Sequence, residues 1–389
     1  MSRRTVLSAV GGNGAVFEAA AARRIPQCMA APQRSFSSTA QRNATQITHF
    51  KPASSPELDA LLSTIRHQII MPAYLTETQR KRLYSSRWEK RLAQDPIVME
   101  VDGEVFRFRH LEPFKGGMVN TRKSIGQAVS QFSTDADWEN LRPLLEGVHN
   151  AGRRLSDTFL VKLVRIAGEK GHADDLIECA RGARRTGFRL DRPEKVNELL
   201  HYVQLKAVDA AWARPQTEQA LRRAELVIEL LQSDAHAPAE DAIVEGSLPL
   251  HRDPQVLMAP LHLAAALVVK GGVTDAKVVE KVDKLADTVV QLWPTDTPLR
   301  KLYPIKEFLD EVQMGYLLQP SKFVAITTPL LHGLDLAAQA VSSPELAAQL
   351  RSRHQVLESD IQKALREVQS SNKASHRGKA VYNKFFGGA

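Results

Sequence analysis

Asn150-Ala151-Gly152-Arg153-Arg154-Leu155-Ser156 returns further along the chain as Arg185-Thr186-Gly187-Phe188-Arg189-Leu190-Asp191. Gly152 aligns with Gly187 and Leu155 with Leu190, a shift of 35 residues each time. A fixed period of this size marks stacked helix pairs, each burying its apolar face on its neighbours. Between the two copies, Leu160, Leu163 and Val164 lie at helical spacing, Gly171 interrupts, and Leu176, Ile177, Cys179 and Ala180 resume the pattern. The spacing predicts one helix over Thr158–Gly168, a turn, and a second helix ending at Gly187.

Outward from this unit the chain stays helical. Ser55-Pro56-Glu57 is a helix start: a capping hydroxyl, a proline at the first helical position, and an acid at the positive end. Ser343-Pro344-Glu345 repeats that signal and predicts a helix to about Gln369. Thr76 with Gln79 is a capping box, opening a predicted helix that carries Arg80, Lys81, Arg82, Tyr84, Arg87, Trp88, Lys90 and Arg91. Ile97–Val101 and Glu104–Phe108 alternate around Asp102-Gly103, a strong hairpin signal. Helices are also predicted at 216–231, 255–270, 274–292, 298–318 and 321–341. The expected fold is mainly α: an α-helical hairpin repeat, solenoid-like body with a small N-terminal β-hairpin. The expected division is 44–116 for the first helices and hairpin, 117–232 for the repeats, 233–254 for an acidic loop, 255–369 for a C-terminal helical region, and 370–389 for a basic flexible tail.

Asp157–Asp191 resembles a pentatricopeptide repeat. Leu160, Leu163 and Val164 stand at the family's apolar positions, Gly171 at its turn and Gly187 at its end. Arg122–Ser156, with Trp138, Leu141 and Leu144, is a poorer copy. A third begins at Arg192 with Val196, Leu199 and Leu200 and loses the pattern near Ala213. The resemblance implies work on RNA in an organelle. In that family an early residue of the first helix and the last residue of the repeat read one base edge. Here the pairs are Gly126 with Ser156 and Val161 with Asp191, and the next repeat has Val196 in the early position. Glycine and valine side chains offer no hydrogen-bond groups to a base, so packing is the better reading of both valines.

The N-terminus supplies an address. Residues 1–45 hold six arginines, no lysine and one acid. That composition predicts a mitochondrial transit peptide over 1–43. Arg34-Ser35-Phe36-Ser37-Ser38-Thr39 resembles the two-step matrix processing signal, with Arg34, Phe36 and Thr39 as its recognition residues and the mature chain starting near Ala44. Without residues 1–45, 52 basic and 44 acidic residues become 46 and 43, and the net charge falls from +8 to +3. A chain so near neutrality has no broad phosphate-gripping face, so a nucleic-acid site must be local.

Two local candidates exist. The segment Arg80–Arg91 has six positive charges, with Tyr84 and Trp88 able to stack on bases; a surface helix with buried aromatics, or one resting on the inner membrane, are the other readings. Arginines also recur at the ends of the helix pairs, Arg154 and Arg189 among them, where they suit phosphates or a solvated face. The longest nearly unbroken apolar run, Val256–Val269, is fourteen residues long and contains Pro260 and His262, too short for a membrane span of about 20. Removal of Cys28 leaves Cys179 alone, so no disulfide, zinc or iron–sulfur site is expected. No nucleophile elbow or metalloprotease spacing is present, and neither enzyme activity nor a cofactor is expected. The predicted role is a scaffold of the mitochondrial matrix in organellar gene expression, binding mitochondrial RNA, the mitoribosome or a translation factor. The alternative is a protein-binding assembly factor for a respiratory-chain complex.

Overall fold

A computed structural model describes residues 47–101, 103–112, 118–370 and 376–387. The predicted transit peptide with Arg34, Phe36 and Thr39, the turn residue Asp102, and Lys373 lie outside the described residues.

Helix α1 (Pro56–Ile65) starts where expected, with the Ser55 hydroxyl accepting from the Leu58 N–H, and buries Leu58, Leu62 and Ile65. A π turn at Arg66–Ile70 and a 3-10 turn at Met71–Tyr74 lead to α2 (Glu77–Tyr84), which has the predicted Thr76–Gln79 capping box. The expected continuous basic helix is broken. A 3-10 turn (Ser86–Trp88) separates α2 from α3 (Glu89–Gln94). The cause lies partly in Ser85-Ser86, which favour caps and turns over helix interiors, and partly elsewhere in the chain. The Leu83 carbonyl, which a continuing helix would use, accepts from the Leu111 N–H at 3.0 Å. β1 (Ile97–Val101) and β2 (Glu104–Phe108) form the predicted antiparallel hairpin, Ile97 facing Phe108 and Val101 facing Glu104. Gly103 takes φ +80 in the turn. The hairpin buries Phe108 with Met71, Leu75 and Leu83, which supplies the support a lone hairpin needs.

The helices α4 (Thr121–Gln131), α5 (Asp135–Trp138), α6 (Leu141–Asn150), α7 (Asp157–Glu169), α8 (Ala173–Arg181), α9 (Ala183–Thr186), α10 (Pro193–Asp209) and α11 (Arg214–Leu231) follow. Gly152 and Gly187 share a left-handed φ, +68 and +70, so the two aligned glycines end their helices in the same way. α10 is buried on nearly every side, polar residues included, and it packs against α7, α11, α12 (Pro254–Val269) and α14 (Pro320–Ala340). The apolar run Val256–Val269 is α12, a core helix; among the described residues no helix is long and apolar enough to cross a membrane.

α13 (Ala276–Leu292) and α15 (Pro344–Ser370) match their predicted spans closely. The predicted helix at 298–318 does not form. That stretch holds 3-10 turns at Leu299–Leu302, Ile305–Phe308 and Gly315–Leu318. Pro304 in its middle has no N–H and crowds the preceding turn. The expected flexible tail is also corrected. Arg377–Phe386 is a docked helix, α16. Arg377 grips the fully buried Glu198 carboxylate through both terminal nitrogens, at 2.7 and 2.5 Å. Phe385 and Phe386 lie 5.4 and 5.7 Å from the His332 ring. A basic, acid-free composition suggests disorder only until its buried counter-charge is located.

The buried polar network near the start of α12 makes a pH prediction. Asp253 accepts from the Gln255 N–H at 2.7 Å and the Tyr303 hydroxyl at 2.9 Å. Burial outweighs these bonds and pushes its carboxyl up to about 6. Between about pH 4 and 6 the folded chain therefore holds a proton that the unfolded chain has lost, so this residue's contribution falls as pH rises through that window. Asp253→Asn keeps an acceptor for both donors and removes the buried charge. We expect it to be more stable than the parent at pH 8, by about 1–3 kcal/mol, with the two converging at pH 4 in urea titrations. An Asn variant less stable at pH 8 refutes this account.

Candidate nucleic-acid interface

The six cations of Arg80–Arg91 are all exposed despite the break between α2 and α3, since both helices bury only their leucines, Leu83 and Leu92. Trp88 is half-buried, and the guanidinium carbons of Arg82 and Arg91 sit 4.9 and 5.2 Å from its ring centre. It serves as a platform that holds two arginines, rather than a ring open to a base. Lys81 pairs with Glu77 at 2.7 Å, both largely exposed, and such a pair yields readily to phosphate.

Tyr84 is the joint that the sequence did not reveal. Its ring leans on the cluster beneath the hairpin. Burial raises its phenol pKa, while the Arg153 charge and a hydrogen bond from Arg153 act against that shift. Through this contact the basic patch abuts the segment 150–156, which aligns with 185–191. Those two segments line one cleft of about 640 Å³, which contains Arg153, Arg154, Arg184 and Arg189.

The arginines of the cleft differ in what they are free to do. Arg154 and Arg184 are exposed and pair with no acid among the described residues. Arg189 is engaged, donating to the carbonyls of Ala235, at 3.1 Å, and Ala237. It secures the turn after α11 more than it offers a phosphate contact. The floor is neutralised. Lys195, 1% exposed, meets Asp157 at 2.9 Å and Asp191 at 2.8 Å. Together with Arg192 it holds the Asp157 carboxyl below its ordinary pKa, although burial alone would raise it. Positive charge thus remains at the rim, where Arg154 and Arg184 are.

The positions at which the pentatricopeptide resemblance would place base readers are occupied by the fold. Val161 and Val196 are fully buried. Ser156 caps α7, its hydroxyl accepting from the Phe159 N–H, and Asp191 is tied to Lys195. Gly126 faces Phe159, whose ring lies 3.6 Å from where a β-carbon would stand. What the site offers is cation without base code: phosphates can be held, and no base edge is addressed by these residues.

Two comparisons cover nearly the whole chain. Residues 34–384 match the family described as mitochondrial ribosomal protein mS27. The chain is also similar to the small ribosomal subunit protein mS27 of Neurospora crassa, 33% identical over 385 residues, which takes in 94% of this chain and 96% of that one. Both agree with the expectation of a mitochondrial protein of gene expression. The chain belongs to the mitochondrial ribosomal protein mS27 family.

Proposed function

We propose that this chain is a non-enzymatic scaffold of the small subunit of the mitochondrial ribosome, resident in the matrix, and that it holds ribosomal RNA by phosphate contacts. One observation carries the RNA part: the exposed cations of Arg80–Arg91 continue through Tyr84 and Arg153 into the cleft rimmed by Arg154 and Arg184. Arg80, Lys81, Arg82, Arg87, Lys90 and Arg91 are the phosphate contacts, Trp88 orients two of them, and Arg189 shapes the cleft. The name of the Neurospora relative supports the ribosomal setting. In this reading α4–α10 contain divergent pentatricopeptide-like helix pairs that have given up base reading and kept stacking. The region 1–43 is a transit peptide recognised at Arg34, Phe36 and Thr39. Family membership favours this role over assembly of a respiratory-chain complex.

The test is reversal of Arg80, Lys81, Arg82 and Arg87 to glutamate. All four are exposed, so the thermal midpoint should move by no more than a few degrees. Co-sedimentation with the small subunit at physiological salt should be lost. For binding to isolated ribosomal RNA, the salt dependence should flatten by about one unit of log–log slope for each contact removed. Unchanged sedimentation together with an unchanged slope removes this patch from the proposal.

A further inference from the structure

The segment after α11 and the turns that replace the predicted helix at 298–318 enclose a second cavity, of about 350 Å³, with a mainly apolar lining that includes Leu231, Pro238, Ala242, Val244, Leu250 and Met314. The apolar surface continues outward. Ile243 and Leu248 are exposed at its wall, and Ile305 and Leu309, on a turn beside it, are 85% and 83% exposed. Exposed large aliphatics at the wall of an apolar hollow and on the turn that carries its Glu307 mark an interaction site, not scattered surface residues.

Charge narrows the partner. Residues 233–253 contain five acids against one arginine, while on the neighbouring turns Glu307, Asp310 and Glu311 are matched in number by Arg300, Lys301 and Lys306. Glu307 is decisive. It lines the cavity at 5% exposure. One carboxylate oxygen accepts from the Ser247 hydroxyl, and the other has no hydrogen-bond partner among the described residues. A buried carboxylate oxygen left unpaired is costly, and a cationic donor is its best complement.

We propose that this hollow docks a segment of another protein, one that inserts an apolar side chain into the cavity and sets a lysine or arginine against Glu307. The acids of 233–253 outnumber its one arginine, and with the buried Glu307 they disfavour RNA phosphate and anionic lipid. A small molecule would fill the cavity and leave Ile305 and Leu309 in water. A segment covers both and supplies the missing donor. This goes beyond the ribosomal reading, since it assigns a protein contact separate from the phosphate contacts.

The test places a photo-crosslinking amino acid at Leu309 of the full chain in intact mitochondria, followed by mass spectrometry of the adduct. The expected product is one protein segment, joined at an apolar stretch with a lysine or arginine within one helical turn. A synthetic copy of that segment should bind the purified chain, and binding should weaken about tenfold or more in Glu307→Gln and in the double variant Ile305→Ser, Leu309→Ser. Glu307→Gln keeps the side-chain volume, so a loss there is not a folding failure. Adducts with RNA, lipid, an acidic segment or a second copy of this chain overturn the proposal, as does the lack of any adduct or a Gln variant that binds normally. The readout does not depend on sedimentation, so it can fail while the ribosomal role stands, and the reverse.

Discussion

Asp137→Ala is expected to lower the unfolding free energy by about 3 kcal/mol and to loosen the first described residues from the body. The Asp137 side chain is fully buried. It accepts from the Ser54 N–H at 2.8 Å and hydroxyl at 2.7 Å, from the Ser133 and Thr134 N–H groups at 3.0 Å each, and from the Ser133 hydroxyl at 3.3 Å. Hydrogen bonds to a charged acceptor contribute about 1.5–3 kcal/mol apiece before water reclaims the exposed donors; some reclaiming is expected here, because Ser54, Ser133 and Thr134 are at the surface. Burial alone would raise this carboxyl's pKa, but the bonds prevail and hold it well below the ordinary carboxylate range. A depressed folded pKa contributes stability above the unfolded value of about 4, and that contribution is lost as pH falls below it. The difference between parent and Ala variant in urea titrations should therefore be full at pH 7 and shrink towards pH 3. Proteolysis should reach residues 47–54 faster in the variant. A loss under about 1 kcal/mol at pH 7, or a gap that widens in acid, contradicts this account.

Arg353→Met should cost about as much, by a different route. Arg353 is 2% exposed and faces no carboxylate within bonding distance among the described residues. Its guanidinium donates instead to the carbonyls of Trp293, Val290 and Gln349, at 2.5, 2.9 and 2.7 Å. The first two belong to the C-terminal end of α13, where carbonyls lack helical partners and the helix dipole is negative. Burial lowers the Arg353 pKa and Asp296 opposes that shift, but a guanidinium has ample margin to stay charged. Methionine fills similar space and abandons three acceptors, the Trp293 carbonyl buried and the other two partly so, for an expected loss of about 3 kcal/mol. Lysine should recover less than half, because one ammonium cannot reproduce a planar fork aimed at three carbonyls. The denaturation midpoint followed by helical circular dichroism decides the matter. A Met variant within error of the parent means that the carbonyls find other donors.

The candidate site was legible in its charges and not in its geometry. Arg80–Arg91 and Arg154 stood out as cations in a nearly neutral chain, and they are exposed. That Arg189 is occupied by the carbonyls of Ala235 and Ala237 is a fact about residues forty-six and more positions away. The Tyr84–Arg153 contact likewise spans two segments that share no pattern. A helix was expected at 298–318, and the turns that form there instead leave Ile305 and Leu309 exposed.

The sequence by itself determined what depends on neighbours within one or two turns. Ser55 and Thr76 start helices because a hydroxyl three residues away satisfies an N–H. Gly152 and Gly187 end them because glycine takes a left-handed φ without a steric penalty. Val256–Val269 is apolar on all sides and so enters a core. The tertiary structure alone decided where a local preference met a distant partner. The Leu83 carbonyl goes to Leu111 and breaks a basic helix, and Glu198 recruits Arg377 and orders a tail that composition reads as loose. In each case the deciding energy is the cost of a buried polar group without a partner, and that cost arises only once the chain has closed around it.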